Sequence, residues 1–259
     1  MDDDRITIDV TDGAAIPRRK DAGLFSAWWI AFLGALLTLV SLLVFEPDPY
    51  LKILKFLPDG IVVTFQVTFA SIGFALLLGL LTGIGRISKN RIVNAVASTY
   101  VEVVRGIPLL VQLFYIYYAM GRFVKVPDIV AAVIAMSFCY GAYMGEVFRA
   151  GIESIHKGQT EAARSLGFNP FQTMVHVILP QAWRTILPPV GNEFIALLKD
   201  TSLVSILAVA DLLRRGREFA SETFTYFETY TIIALVYLII TLILSKLVSK
   251  MEEKINYYA

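Results

Sequence analysis

Two long apolar runs constrain this chain more than anything else in it. Leu24 to Phe45 is 22 residues without a charge, and Gly60 to Gly85 is 26 residues with Gln66 as the only strongly polar member. Either is long enough to cross the roughly 30 Å hydrocarbon layer of a bilayer as a helix. The first run is not a secretory signal peptide. It is too long for such a core, and no small-residue cleavage site precedes Glu46-Pro47-Asp48-Pro49. Trp28 and Trp29 near its start suit an interfacial belt. In the second run Gly73, Gly79 and Gly83 mark faces where helices can approach closely.

Four more spans follow. The third runs from about Ile92 to Gly121, long enough for its start to lie along the membrane surface, and holds Glu102, Arg105, Gly106 and Pro108. The fourth is Asp128 to Phe148, with Glu146 and Arg149 at its end; the fifth and sixth are Pro188 to Ala210 and Tyr230 to Leu247. The expected fold is an all-α membrane protein of about six transmembrane helices. Composition agrees: 56% of residues are hydrophobic and 17% charged, against about a quarter charged in soluble proteins. A net charge of +1 gives no reason to expect a nucleic-acid partner. A single cysteine, Cys139, excludes a disulfide framework within one chain.

The expected division of the chain is a disordered tail over residues 1–23, a leading helix over 24–45, a core over 57–250 and a short tail over 251–259. The first tail is acidic and ends in the basic anchor Pro17-Arg18-Arg19-Lys20. Six spans put both termini on one side. That side carries fourteen basic residues, from Arg5 and Arg18 through Arg86, Arg149, Lys157 and Arg164 to Lys254. The other carries seven: Lys52, Lys55, Arg122, Lys125, Arg214, Arg215 and Arg217. The positive-inside rule places the termini and the central loop in the cytoplasm.

That loop, residues 150–187, holds a polar island from Gly158 to Pro180 with clear local signals. Thr160 can cap a helix whose first turn carries Glu161, and Ala162 and Ala163 favour the helix. Gly167 suits the left-handed residue that closes it. Asn169 then caps a second helix, with Pro170 at its first position and Gln172 placed for a capping box. A mere linker between two spans has no need for such defined ends.

Glu161-Ala162-Ala163, Gly167 three residues after Arg164, and the closing Ile178-Leu179-Pro180 resemble the "EAA" signature of permease subunits in bacterial ATP-binding-cassette (ABC) importers. Gly60-Ile-Val-Val-Thr64, Tyr100 to Gln112, Gly145 to Ile152 and Leu198 to Leu203 resemble the polar amino-acid branch of that family, the histidine, glutamine and arginine permease type. The resemblance covers about Gly60 to Lys250. It implies a five-helix core to which Leu24–Phe45 is one extra N-terminal helix. It also implies a coupling helix that docks on a separate ATPase subunit, a second permease subunit (a homodimer or a heterodimer), and an extracytoplasmic substrate-binding protein that delivers a polar amino acid. The setting would be the bacterial cytoplasmic (inner) membrane. Glu161, Ala162, Ala163 and Gly167 would carry the coupling.

The residues themselves agree with a transport subunit rather than an enzyme. No Gly-x-x-x-x-Gly-Lys-Ser/Thr loop is present to cradle ATP phosphates. His156 and His176 stand apart from any Cys/His cluster, so no metal or other cofactor is expected. The competing reading is a secondary transporter or channel, with the central loop as its own gate; no inverted repeat is found to support it. If the fifth span begins at Pro188, Lys199 and Asp200 lie roughly 16 Å deep. Ionisable groups at that depth face a bundle interior or a wet cavity, and Lys199-Asp200-Thr201-Ser202 can break the helix there. The pair either lines the path or binds neighbouring helices together. Arg105 and Glu146 complete the candidate path residues, but Glu102 and Arg105, one turn apart, can neutralise each other, and Glu146 and Arg149 sit where snorkelling is easy. Both pairs therefore read first as structural. The aromatic run Phe114-Tyr115-Ile116-Tyr117-Tyr118 is either an interfacial belt or the lining of an outer mouth.

Overall fold

A computed structural model describes residues 26–257. The expected tail over residues 1–23, the first two residues of Leu24–Phe45 and the last two of the chain lie outside the described residues. Within them every regular element is helical.

The leading helix α1 (Ala27–Phe45) is capped by Ser26, whose hydroxyl accepts from the Trp29 N–H. It is almost unburied, with Ala35 its one buried residue. It is held against the last helix, α11 (Tyr226–Tyr257), where the Trp28 indole N–H donates to the Leu242 carbonyl at 2.8 Å. The Lys246 ammonium also lies 5.4 Å over the Trp28 ring. A tryptophan here is thus tied to a neighbouring helix on both its polar and its π faces.

Between α1 and the next span lies a shorter helix, α2 (Pro47–Phe56). Its Tyr50 and Ile53, with Leu57, pack on Leu212, Phe219, Ile232, Ile233 and Val236. This cluster joins α2 to α11 and to α10 (Leu212–Thr223).

The centre of the fold is the pair α3 (Pro58–Arg86) and α6 (Asp128–Glu153). In its most apolar window α6 is 61% buried, against 6% for α1, so α6 is the axle and α1 a peripheral helix. The two helices touch backbone to backbone. A Cβ at Gly83 would stand 2.9 Å from the Gly145 carbonyl oxygen, and one at Gly79 would meet Met144. Val67, Ala75, Met136, Tyr140 and Met144 form the main core with Ile186 and Leu197 of α9 (Leu179–Asp200).

The third expected span is broken. Helices α4 (Arg91–Gly106) and α5 (Leu109–Phe123) meet at 109°. Pro108 has no N–H to continue the ladder and drives Ile107 to extended backbone, φ −106° and ψ 134°. The carbonyls orphaned at the break are met by the Gln112 amide, which donates to Val104 O at 2.6 Å and Ile107 O at 2.7 Å.

The fifth span does not begin at Pro188. One helix passes through Pro188 and Pro189 and starts at Leu179, preceded by a π-helical turn over Met174–Ile178. Lys199 and Asp200 therefore stand at the end of a 22-residue helix, about 30 Å along it from its first turn rather than eleven residues in. Among the described residues four helices are long and apolar enough to cross a membrane, and the α4–α5 pair makes a fifth candidate. Helix α9 has the length, but Arg184, Glu193, Lys199 and Asp200 lower its hydropathy.

Candidate functional site: a capped loop and a charged cluster

The central loop is built as two short helices around a glycine. The first, α7 (Lys157–Ser165), starts three residues before Thr160. His156 is its cap, the imidazole Nδ1 accepting from the Gly158 N–H at 3.1 Å. Thr160 therefore lies inside the helix and not at its end. The other end forms as the sequence predicts. Gly167 takes φ +87°, its N–H donates to Arg164 O at 3.0 Å, and the Phe168 N–H donates to Ala163 O at 3.1 Å. These two bonds define a Schellman closure.

Asn169 then caps α8 (Pro170–Thr173) with both bonds of a capping box. Its Oδ1 accepts from the Gln172 N–H at 2.8 Å, and its N–H donates to Gln172 Oε1 at 3.0 Å. Gln181 of α9 fastens the unit by donating to Gln159 Oε1 at 3.2 Å. Of the four residues singled out in the loop, Ala163 is buried while Glu161, Ala162 and Gly167 are exposed. Leu166 and Phe171 beside them are 79% and 74% exposed, an apolar surface held on a rigid turn.

The second constellation centres on Glu146 of α6. Arg86 at the end of α3 and Arg149 one turn along α6 both contact its carboxylate, and Arg105 of α4 approaches to 3.9 Å. Arg86 also reaches Glu102 at 3.3 Å, and Arg149 also contacts Glu153. The expected Glu102–Arg105 pair does not form. Glu102 turns to Arg86 and Arg105 to Glu146, because α4 packs against both α3 and α6 and presents the two side chains to different neighbours. Arg105 also stands 5.6 Å over the Tyr143 ring.

At the end of α9 the two expected charges part. Asp200 accepts from the Tyr140 hydroxyl at 2.7 Å. Lys199 is exposed and makes no ion pair among the described residues. Thr201 is fully buried, and its hydroxyl donates to Leu198 O at 2.6 Å where the helix tightens into a 3₁₀ segment, Thr201–Leu207. A third charge, not singled out from the sequence, joins them: half-buried Glu193, on which the charges of both Arg105 and Asp200 act. Glu193 and Asp200 are seven residues apart, two turns on one helix face, while Lys199 is rotated off that face. That spacing was the available signal. The structure thus brings Arg105, Glu146, Glu193 and Asp200 to one region around Tyr140 and Tyr143, and leaves Lys199 outside it.

Residues 75–256 match the family described as the binding-protein-dependent transport system inner membrane component. The chain is 37% identical over 201 residues to the glutamine transport system permease protein GlnP of Escherichia coli K12, covering 76% of this chain and 92% of that protein. It is 41% identical over 204 residues to the L-cystine transport system permease protein TcyB of Bacillus subtilis 168, covering 78% and 87%. A crystal structure of an amino acid ABC transporter with histidines matches with TM-score 0.75 at 42% identity, over 79% of this chain and 98% of that one. An inward-facing MetNI methionine ABC transporter, 19% identical with TM-score 0.65 over 80% and 98% of the two chains, shares the fold. With most of its length inside the family match and relatives this similar over nearly their whole length, the chain belongs to the binding-protein-dependent transport system inner membrane components.

Proposed function

We propose that this chain is the permease subunit of an ABC importer that carries a polar amino acid across the bacterial cytoplasmic membrane. The observation that carries this is the similarity, over nearly their full length, to permeases named for glutamine and cystine. In this reading a separate ATPase subunit docks on the loop around Glu161, Ala162, Ala163 and Gly167. The Schellman closure and capping box support it, because a load-transmitting contact needs a loop that does not yield, and exposed Leu166 and Phe171 offer apolar area for docking. An extracytoplasmic binding protein delivers the substrate, and a second permease subunit, identical or paralogous, completes the path. Both termini lie in the cytoplasm with the loop.

The path runs past Asp200, Thr201, Arg105 and Glu146, with Lys199 on the exposed side of the same helix end. The convergence of these charges with Glu193 supports the assignment, since unlike charges held near an amphipathic ring pair suit a zwitterion better than an apolar solute.

The test is uptake in proteoliposomes that hold the permease with its ATPase, with binding protein added outside. Accumulation of a radiolabelled amino acid should require ATP, the ATPase and the binding protein. Uptake that follows an ion gradient without the ATPase would establish a secondary transporter instead.

A further inference from the structure

We propose that α4 and α5 hold one molecule of anionic phospholipid, its headgroup against Lys89 and Arg91 and an acyl chain in the elbow between the two helices. The site does not depend on what is transported, only on the membrane setting of the family. Its first part is α4, whose 16 residues are too few to cross a hydrocarbon layer of roughly 30 Å. The contacts of α4 keep it at one level. Val93 and Ala97 stand against Gly85, the Asn94 amide donates to the Arg86 carbonyl, and Glu102 meets the Arg86 guanidinium at 3.3 Å. From Val93 to Glu102 the neighbour is therefore still the last turn of α3. A helix running alongside α3 would have moved about 13 Å along it over that length. Helix α4 thus lies along the membrane surface, at the end of α3.

A helix in that position has two sides to account for. Ala97, Val101 and Val104 are buried against α3 and α6. Ile92, Val96 and Val103, 75%, 67% and 53% exposed, form a second stripe with exposed Thr99. It lies about 140° around the helix from the first. An apolar stripe turned outward on a helix in the surface plane meets lipid. At its head stand Lys89 and Arg91, both exposed and neither in an ion pair among the described residues, so this end offers uncompensated positive charge. At its far end Thr99 and Val103 pass into a cavity of about 450 Å³ between α4 and α5, lined also by Tyr100, Val111, Tyr115 and Phe138. The polar groups on its wall are spent on backbone. The Gln112 amide donates to the Val104 and Ile107 carbonyls, and the Tyr100 hydroxyl to that of Phe138. From Arg91 to Val103 the groove measures about 18 Å, close to the roughly 15 Å of one hydrocarbon leaflet. Cations, an apolar stripe and an apolar cavity, in that order and over that length, match an anionic head and its acyl chain. A second copy of the chain meeting this face with its own would bring two more cations rather than acids.

The test is photocrosslinking of the full-length chain in nanodiscs of phosphatidylcholine with a minor share of phosphatidylglycerol. Tyr115→p-benzoylphenylalanine places the probe at the cavity, and Leu37→p-benzoylphenylalanine, on the exposed side of α1, samples bulk lipid. Mass spectrometry reads the lipid attached at each position. The ratio of phosphatidylglycerol to phosphatidylcholine at position 115 should exceed that at 37 about 5- to 30-fold, the preference that one or two cations give near a lipid surface. Lys89→Gln together with Arg91→Gln should bring the ratio at 115 down to that at 37. Native mass spectrometry of the chain without the photoreactive residue serves if the position 115 variant does not fold: the wild type should retain a phosphatidylglycerol molecule that the double glutamine variant loses. Equal ratios at 115 and 37, or a ratio that the double variant leaves unchanged, overturns the proposal. A crosslinked species of twice the chain's mass at 115 also overturns it, and gives the elbow to a second copy.

Discussion

The contact between α3 and α6 leaves no room for a side chain, and Gly79→Ala tests whether that contact organises the fold. A Cβ at Gly79 would overlap the Met144 Cβ, and would lie 2.9 Å from the Met144 carbonyl carbon and 3.0 Å from the Gly145 nitrogen. None of these atoms can swing away, since all belong to the α6 backbone or are fixed to it. The helices must then part by on the order of 1 Å, and overpacking of this kind costs about 1–3 kcal/mol. Alanine is worth about 1 kcal/mol over glycine as a helix former, which opposes the cost. Gly73→Ala isolates that term: it sits on the same helix with nothing within 4 Å of its would-be Cβ. The propensity gain is common to both and cancels, so the readout is the difference between the two variants, expected at about 1–3 kcal/mol in favour of Gly73→Ala. Thermal melting of the detergent-solubilised protein, followed by size-exclusion chromatography, measures it. If Gly79→Ala melts at or above Gly73→Ala, α3 and α6 are not in the close contact described.

Three other outcomes are expected. Gly167→Leu places a side chain at φ +87° with open space around it, so the loss is conformational, about 1–2 kcal/mol; the chain should remain folded while substrate-dependent ATP hydrolysis drops, and unchanged hydrolysis would remove the loop from coupling. Cysteines near His156 should react with an impermeant reagent only from the cytoplasmic side, and those near Pro49 and Arg215 only from outside; the reverse pattern overturns the orientation. Burial pushes the Asp211 carboxyl from 3.8 up to about 6, against N–H donation from Arg214 and Leu213. Its protonated form therefore favours the fold, a contribution full below 3.8 and lost as the pH rises through 6, roughly 3 kcal/mol in all. Asp211→Asn keeps the cap and should gain stability over the wild type between pH 4 and pH 7; a pH-independent difference refutes the assignment.

What the sequence showed well was local. Gly167, Asn169, Pro170 and Gln172 are read by rules that need only the next three residues, and the structure places all four as those rules require. The start of α7 escaped because histidine is not among the usual capping residues, yet an imidazole nitrogen that accepts does the same task for Gly158. The break at Pro108 was visible as a residue but not as a bend, since a proline alone does not say whether the chain kinks or turns through 109°. At Pro188 and Pro189 the opposite happened: the helix runs through both. Charge pairing was the least legible feature. Glu102 and Arg105 are neighbours on α4 and satisfied the spacing rule, but α3 and α6 supply closer partners, and only tertiary packing decides between a partner three residues away and one sixteen or forty-one residues away. The same limit hid Glu193, whose neighbours come from three helices.

The buried side chains fall into two large bodies and a small third one around Val101, Val104 and Ala142, and the division between the large two bears on how movement at the loop could reach the charged cluster. Ile178 at the end of the π-helical turn, with Ala182 and Ile186 in the first half of α9, packs into the same core as Met136, Tyr140 and Met144. A displacement of α7 and α8 would thus be passed through this core to α6, the helix that carries Glu146 and Tyr140. The other body, formed by α2, α10 and α11 around Leu57, Leu212 and Phe219, shares no buried residue with it. Helix α3 belongs to both, through Val67 and Ala75 on one side and Ile61 on the other. Two hydrogen bonds cross the seam, from the Leu212 N–H to the Thr64 hydroxyl at 3.1 Å and from Arg214 to Ser205 O at 3.3 Å, and beside them Val248 of α11 packs close on Gly191 of α9. The seam between the two bodies runs past the end of α9, and Tyr140, which holds Asp200, belongs to the body into which Ile178 and Ala182 pack, so movement of the loop is expected to reach this cluster before it reaches the other body.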